Sequence, residues 1–268
     1  MQDIKDKYRR LVRIIKDAGS SVVAFSGGVD STLLVKAVKE SGVRYLAVTG
    51  LSPTMPKADI EDVRTLKGLL QIKHRFIQTD EHKREEFARN DPERCFYCKD
   101  TLFGKLREIA EKEGYSSVLE GTNADDLRDY RPGLRACKSH NVLSPLAEAR
   151  ITKSDVRELL KMFGIWLWSK PSSPCLSSRV AYGVSIDEEV LRKVEAAEVL
   201  LRELGFRELR VRHHGEIARI EIPEKDIDMI CKEDIRAKVV EGLLNLGYKF
   251  VTLDLEGLIS GKMNRLLK

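Results

Sequence analysis

Residues 22–31 read Val22-Val23-Ala24-Phe25-Ser26-Gly27-Gly28-Val29-Asp30-Ser31, and the fold turns on them. A short apolar run that suits a buried strand leads into two glycines. A helical pattern (Leu33, Leu34, Val35, Ala37, Val38) begins right after Ser31. This is a strand, a tight turn and a helix N-terminus. Glycines let the backbone approach an anion with no Cβ in the way, and the unpaired N–H groups of the first helical turn supply donors and partial positive charge. Phosphate is the natural guest. The Lys that a Walker A loop needs after its second glycine is missing, and serines and an aspartate stand there instead.

Outward from this loop, residues 44–49 read as a second strand, 60–70 as a helix, 74–79 as a third strand and 118–122 as a fourth. Strands alternating with helices argue for a parallel sheet covered on both faces, with ligands beyond the carboxyl ends of the strands. Those ends carry Ser26, Thr49, Asp80 and Thr122. After the fourth strand comes Gly121-Thr122-Asn123-Ala124-Asp125-Asp126, where Asp125 and its neighbour suit Mg²⁺ beside a triphosphate. A helix N-cap would account for Asn123 alone. Residues 1–20 form an amphipathic helix with Ile4, Tyr8, Leu11, Val12 and Ile15 on one face. From about residue 185 the pattern changes to a long helix, two strands (209–213, 218–222), a helix (235–246) and a last strand (250–255). The expected organisation is an α/β parallel-sheet domain over 1–180 and a smaller C-terminal α+β domain over 181–268.

A chain of 268 residues with 47 basic and 42 acidic side chains has a formal charge of +5. The excess is small against the total, so anionic small molecules fit it better than a nucleic-acid footprint. No apolar run reaches the roughly 18 residues that a spanning helix needs, and residues 1–20 are charged and amphipathic; no membrane partner and a cytoplasmic location are expected. Five cysteines in such a setting are ligands, nucleophiles or core residues rather than disulfides.

Cys95 and Cys98 stand at C-x-x-C spacing where a helix begins, a position that lowers thiol pKa. Two thiolates do not complete a metal site and no second such pair exists to help, so the pair reads either as a redox dithiol or as ligands whose missing partner lies far along the chain. Cys175 lies in Lys170-Pro171-Ser172-Ser173-Pro174-Cys175-Leu176-Ser177-Ser178-Arg179, a polar loop with two prolines and an arginine close behind, which favours thiolate. Cys137 reads as a partly buried thiol and Cys231, beside Met229 and Ile230, as a core one. Trp166 and Trp168 alternate with Ile165 and Leu167 in strand fashion, and core packing is expected of both indoles. Arg131 and Arg135, in a loop expected near the pocket mouth, can meet an anionic substrate. Arg210 and Arg212 leave one strand face together, so both can meet one phosphate; a solvated face is the alternative. His213 and His214, adjacent on a strand, point to opposite faces and do not suit one metal.

Ser26 to Ser31 resembles the signature of the PP-loop ATP pyrophosphatases, of adenine nucleotide alpha hydrolase-like fold. With Gly121 to Asp126, Tyr130-Arg131-Pro132-Gly133-Leu134, Ser144-Pro145-Leu146, the Cys175 loop and residues 210–215, the chain is similar to the LarE family of sulfur transferases over nearly its whole length. That resemblance implies ATP and Mg²⁺ over Ser26, Gly27, Gly28, Val29, Asp30, Ser31, Thr49, Gly121 and Asp125, with Asp30 catalytic. It implies adenylation of a carboxylate on a pyridinium mononucleotide, followed by sulfur in place of AMP. In one branch the cysteine matching Cys175 gives up its own sulfur; in another, Cys95 and Cys98 join it around a [4Fe–4S] cluster. This chain resembles the second branch, because a lone sacrificed cysteine gains nothing from a nearby pair. The family also implies Arg179, Arg210, Arg212, Arg131 and Lys99 toward the substrate, Glu198 near the sulfur site, an external sulfide donor and a hexamer. Rival readings are a tRNA thiolase, an amide-forming synthetase, and a nucleotide-binding or iron–sulfur module without turnover.

Overall fold

The computed structural model describes residues 2–128, 132–171, 174–259 and 261–267. The chain divides into two compact units, one made of residues 1–81 and 95–173, the other of 82–94 and 174–268.

In the first unit the elements run α1 (Gln2–Ala18), β1 (Ser21–Ala24), α2 (Val29–Ser41), β2 (Tyr45–Leu51), α3 (Lys57–Leu70), β3 (His74–Gln78), α4 (Arg94–Glu113), β4 (Ser117–Leu119), α5 (Gly133–Ser139), β5 (Val142–Leu143) and α6 (Lys153–Met162). The strands form one parallel sheet in the order β3-β2-β1-β4-β5, with Ser21 of β1 opposite Tyr45 on one side and Ser117 on the other. Side chains on successive strand residues alternate between faces. Val23 therefore joins the core with Leu11, Ile15 and Leu33, while Val22 joins Val118, Phe103 and Leu106 on the opposite face. A strand buried on both sides needs the continuous apolar run that β1 has. Helix α1 packs on α2, with Ile4, Leu11 and Ile15 buried.

In the second unit α7 (Glu188–Glu203), β6 (Arg210–His214), β7 (Ile217–Glu221), α8 (Glu233–Asn245) and β8 (Phe250–Leu253) build an α+β arrangement. Its sheet runs β6-β7-β8, the first pair antiparallel and the second parallel. One sheet face gives Val211, Ala218 and Ile220 to a core shared with Ala197, Leu201, Val239 and Leu243. Residues 82–94 belong here through Asn90. That residue is buried, has φ +55°, and donates its amide to the carbonyls of Ala181 (2.8 Å) and Val184 (2.9 Å) while accepting from Arg94.

Two expectations fail here. Residues 166–169 form a 3₁₀ turn rather than a strand, and Trp166 and Trp168 are 44% and 40% exposed, not core. The alternation is real, but Ile165 and Leu167 take the inward places and both indoles lie outside. Cys231 is exposed at the end of the short helix Ile227–Cys231, whose inward residue is Ile230. No helix among the described residues is long and apolar enough to cross a membrane.

Replacing Asn90 by Ala strands buried carbonyls and the Arg94 guanidinium, and puts a Cβ residue without local hydrogen bonding at positive φ. A loss of about 2–4 kcal/mol is expected. Urea unfolding followed by circular dichroism measures it; an unchanged midpoint would remove Asn90 from its place as the tie between 82–94 and 181–184.

Candidate active site

Gly27 has φ +72°, and a Cβ there would lie 2.7 Å from Val63 Cγ2, so only glycine makes this turn. Gly28 N-caps α2 without a side-chain hydrogen bond, and the first helical bond runs from Thr32 N–H to the Gly28 carbonyl at 3.0 Å. Ser31 Oγ donates back to the Gly28 carbonyl (3.1 Å), lies 3.1 Å from Ser26 Oγ and accepts from Ser26 N–H. The loop thus ties its own hydroxyls together and leaves the helix start without a side-chain cap.

A cavity of about 300 Å³ opens there at the carboxyl ends of the strands. Ser26, Gly28, Asp30, Ser31, Thr49, Lys99 and Gly121 all line it. Gly27 and Val29 shape the turn without lining it, Val29 being buried in the core. A Cβ on Gly121 would stand 3.1 Å from Ser31 N, so glycine lets the end of β4 lie against the loop. Thr49 is 2% exposed and its hydroxyl is already used, donating to the Phe25 carbonyl and meeting His74 Nε2 at 2.8 Å. His74 is therefore the donor to Thr49. Burial, with Lys67 adding to it, lowers its pKa to about 4 and keeps the ring neutral.

Two polar residues at this crevice, Glu120 and Lys153, were not expected; Asn123 and Asp126 belong to the segment that was. Glu120, 5% exposed, accepts from Thr122 N–H (3.0 Å) and Ser144 Oγ (2.6 Å) and pairs with Lys99 at 3.4 Å. Asp126 lines the cavity. Asn123 donates to Asp30 Oδ1 at 3.2 Å, and the Lys153 ammonium contacts Asp30 Oδ2. Asp125 itself is exposed and accepts the Lys153 backbone N–H at 2.8 Å. A charged residue inside an apolar strand was the readable sign for Glu120. Lys153 left none, since one lysine at a helix start is ordinary. The cavity wall has three carboxylates (Asp30, Glu120, Asp126) against Lys99, with Lys153 on Asp30, so negative charge is in excess.

The cysteines divide between the units. Cys95 and Cys98 lie three residues apart at the start of α4 in the first, one exposed and one half-buried. Cys175 is exposed in the second, where it precedes the 3₁₀ turn Leu176–Arg179. None of the five is in a disulfide, and Cys137 is buried, its pKa pushed up to about 11 by burial. Among the described residues no group of three His, Cys, Asp or Glu side chains is gathered as a metal site.

Arg179, 1% exposed, holds the Cys175 turn. It donates to the carbonyls of Pro174 and Cys175 (3.0 Å) and pairs twice with Glu198, at 2.9 and 3.2 Å. Glu198 also accepts from Arg202 (2.9 Å) and Val211 N–H. Burial alone would raise its pKa, but the charge and hydrogen bonds of Arg179 win and hold it low. Arg210 and Arg212 do leave one face of β6. Arg212, however, is tied to Glu221 (2.7 and 2.9 Å) and the Ser178 carbonyl (2.9 Å). Arg210 is half-buried, its pKa lowered to about 10 by burial and then by Arg179, and remains charged at neutral pH. Arg135 is exposed, with its guanidinium over the Phe96 ring. Arg131 lies outside the described residues.

A parallel sheet in this order, with a glycine loop opening on a cavity at its carboxyl edge, defines a PP-loop domain. No protein-family model matches the chain. It is 39% identical over 98% of its length to an uncharacterised protein of Synechocystis, covering 99% of that protein. It is 37% identical over 98% of its length to the pyridinium-3,5-bisthiocarboxylic acid mononucleotide synthase of Lactiplantibacillus plantarum, covering 96% of it. More distantly, 37% of the chain is 31% identical to 31% of the tRNA-specific 2-thiouridylase MnmA of Campylobacter hominis. The chain belongs to the LarE family, within the PP-loop superfamily.

A neutral His74 folded and a protonatable one unfolded make stability pH-dependent. Its contribution is intact above the ordinary histidine pKa of 6.5 and is lost as pH falls from there to about 4. Thermal melts of the wild type and His74→Leu across that window should show a shallower decline in the variant; parallel curves would contradict a depressed pKa.

Proposed function

We propose that this chain uses ATP to adenylate the carboxylate of a pyridinium mononucleotide and then replaces AMP by sulfur. One observation carries the reading: a helix start without a side-chain cap, reached by a glycine turn, that opens on a cavity at the strand ends. Kinship with a synthase of a bisthiocarboxylic acid mononucleotide supports the choice of substrate.

In this reading the loop N–H groups and Lys99 hold the phosphate chain, and Lys153 leaves Asp30 for the phosphates as they arrive. A substrate carboxylate oxygen attacks the α-phosphorus and the bond to pyrophosphate breaks. Sulfide then attacks the acyl carbon, the C–O bond to AMP breaks, and a thiocarboxylate remains. Positioning and charge neutralisation are the enzyme's share of the first step. Asp30 and Asp126 on the cavity wall, with the exposed Asp125 beside them, are the carboxylates that would hold Mg²⁺, which would offset the wall's excess negative charge and neutralise phosphate oxygens. Cys95 and Cys98, a helical turn apart, and Cys175, none of them in a disulfide, are the residues that would hold a [4Fe–4S] cluster, which would supply one iron open to sulfide. Arg179 and Glu198 serve as positioning residues for the Cys175 turn.

The stretch shared with a tRNA-specific thiouridylase keeps one rival in play, thiolation of tRNA. Retarded migration of bulk tRNA at physiological salt would favour it over the small-molecule reading.

Pyrophosphate release from ATP with a carboxylated pyridinium mononucleotide is the decisive measurement. Lys153→Met should slow it roughly ten- to a hundredfold. Cys175→Ala should leave release largely intact while abolishing thiocarboxylate, detected by mass spectrometry. Loss of both in Cys175→Ala, in a folded protein, would sink the separation of the two steps. Anaerobic reconstitution with iron and sulfide should colour the wild type but not Cys95→Ser.

A further inference from the structure

Two short stretches, Pro132-Gly133-Leu134 and Ser144-Pro145-Leu146, take no part in the chemistry above, yet both bear on one cavity residue, Lys99. Lys99 lies in the second turn of α4, directly after Cys98. Its stem passes over Gly133. A Cβ at Gly133 would stand 2.6 Å from Lys99 Cδ and 3.2 Å from Cε, so any side chain there would push the lysine aside. The ammonium lies 5.6 Å from the centre of the Phe103 ring, one turn further along the same helix, within cation–π reach.

The other hold on Lys99 comes from the sheet. β4 and β5 run parallel with Leu119 opposite Leu143, and the Glu120 N–H donates to the Leu143 carbonyl at 2.9 Å. Glu120 and Ser144 are therefore the next pair beyond the ladder and share a side of the sheet. Ser144 Oγ donates to Glu120 Oε1 at 2.6 Å, and Thr122 N–H donates to the same oxygen at 3.0 Å. Two donors on one oxygen of a planar carboxylate fix the direction of the other. That other oxygen, Oε2, meets Lys99 Nζ at 3.4 Å. Glu120 is 5% exposed, and a carboxylate so deep in the wall of an anion site would only repel the ligand unless it served a cation.

We propose that Glu120 is a positioning residue: clamped by Ser144 and Thr122, it holds the Lys99 ammonium at the cavity wall. An ammonium has three N–H donors, so with one spent on Glu120 the rest face phosphate oxygens. Ser144 acts one step further back, by aiming the carboxylate. That the oxygens belong to ATP rests on the function proposed above; the hold of Glu120 on Lys99 does not.

The sign of one substitution separates this role from its opposite. If Glu120 were mere wall charge, Glu120→Gln would relieve repulsion and tighten binding of a triphosphate. Because it holds Lys99, calorimetric titration of the full chain with a non-hydrolysable ATP analogue and Mg²⁺ should show binding weakened roughly five- to tenfold in Glu120→Gln. Ser144→Ala, which leaves the carboxylate charge in place, should weaken it about threefold. In a Lys99→Met background neither change should weaken binding further, whereas a structural role or direct contact of Glu120 with the metal would cost the same in both backgrounds. Tighter binding in Glu120→Gln, or equal losses in the two backgrounds, overturns the proposal. Acylation of Lys99 by an N-hydroxysuccinimide ester without ligand, quantified by peptide mass spectrometry, should rise roughly threefold in Glu120→Gln as the amine is freed. Unchanged labelling also overturns it. If the wild type itself fails to bind the analogue, the function proposed above falls, and the labelling alone decides for or against the hold on Lys99.

Discussion

The backbone N–H groups at the start of α2 are the constraint around which the first unit is arranged. A helix leaves its first N–H groups without internal partners, and something must answer them. Thr152 and Asp155 do so for α6 through a capping box, and the Asp187 side chain does so for α7. Helix α3 also lacks a side-chain cap, but Lys57 and Ala58 are exposed and water can serve. Helix α2 is different. Val29 and Ser31 are buried, no side chain caps the helix, and the serines that could have done so are bonded to each other and to Gly28. A buried, uncapped start beside a cavity is stable only if an anion visits it or water fills it; Gly27 makes the turn that leads to it, and Gly121 lets the end of β4 lie against it.

The second unit solves another problem, holding an exposed cysteine still. Cys175 gains nothing from its own packing, so order must come from beneath. Arg179 and Glu198 supply it: both are almost wholly buried, paired in two-point fashion, with the remaining donors of Arg179 spent on the carbonyls of Pro174 and Cys175. Buried ion pairs give little net stability compared with apolar side chains, but leaving one partner alone costs about 3–5 kcal/mol. Such a pair is better suited to fix a geometry than to add stability. Its position under the cysteine turn agrees with that use.

Most of the first unit was legible because β1, β2 and β4 are apolar runs bounded by glycine and polar residues, and such strands must be central and parallel. β5 was not, for two residues, Val142 and Leu143, make no periodic signal. The Trp166–Trp168 stretch misled because alternation tells which side chains share a face but not which face is inside; bulk favoured the indoles, and the structure buries Ile165 and Leu167. Membership of 82–94 in the second unit depends on one asparagine in a left-handed conformation, which no hydrophobic pattern records. The loop residues of the candidate site were read from their types and spacing. Lys153 was not, because it matters through Asp30, more than a hundred residues away. Arg212 was placed on the correct face, yet its partner Glu221 sits on another strand and could not be paired without the register.

Charge, more than shape, decides what the first cavity can hold. Its wall has three carboxylates, Asp30, Glu120 and Asp126, against Lys99, with Lys153 on Asp30. A nucleoside triphosphate travels with a divalent cation and can enter a site of negative excess, where the metal is shared by phosphate and carboxylates. A monophosphate has no such escort, and in the same site it would face bare repulsion.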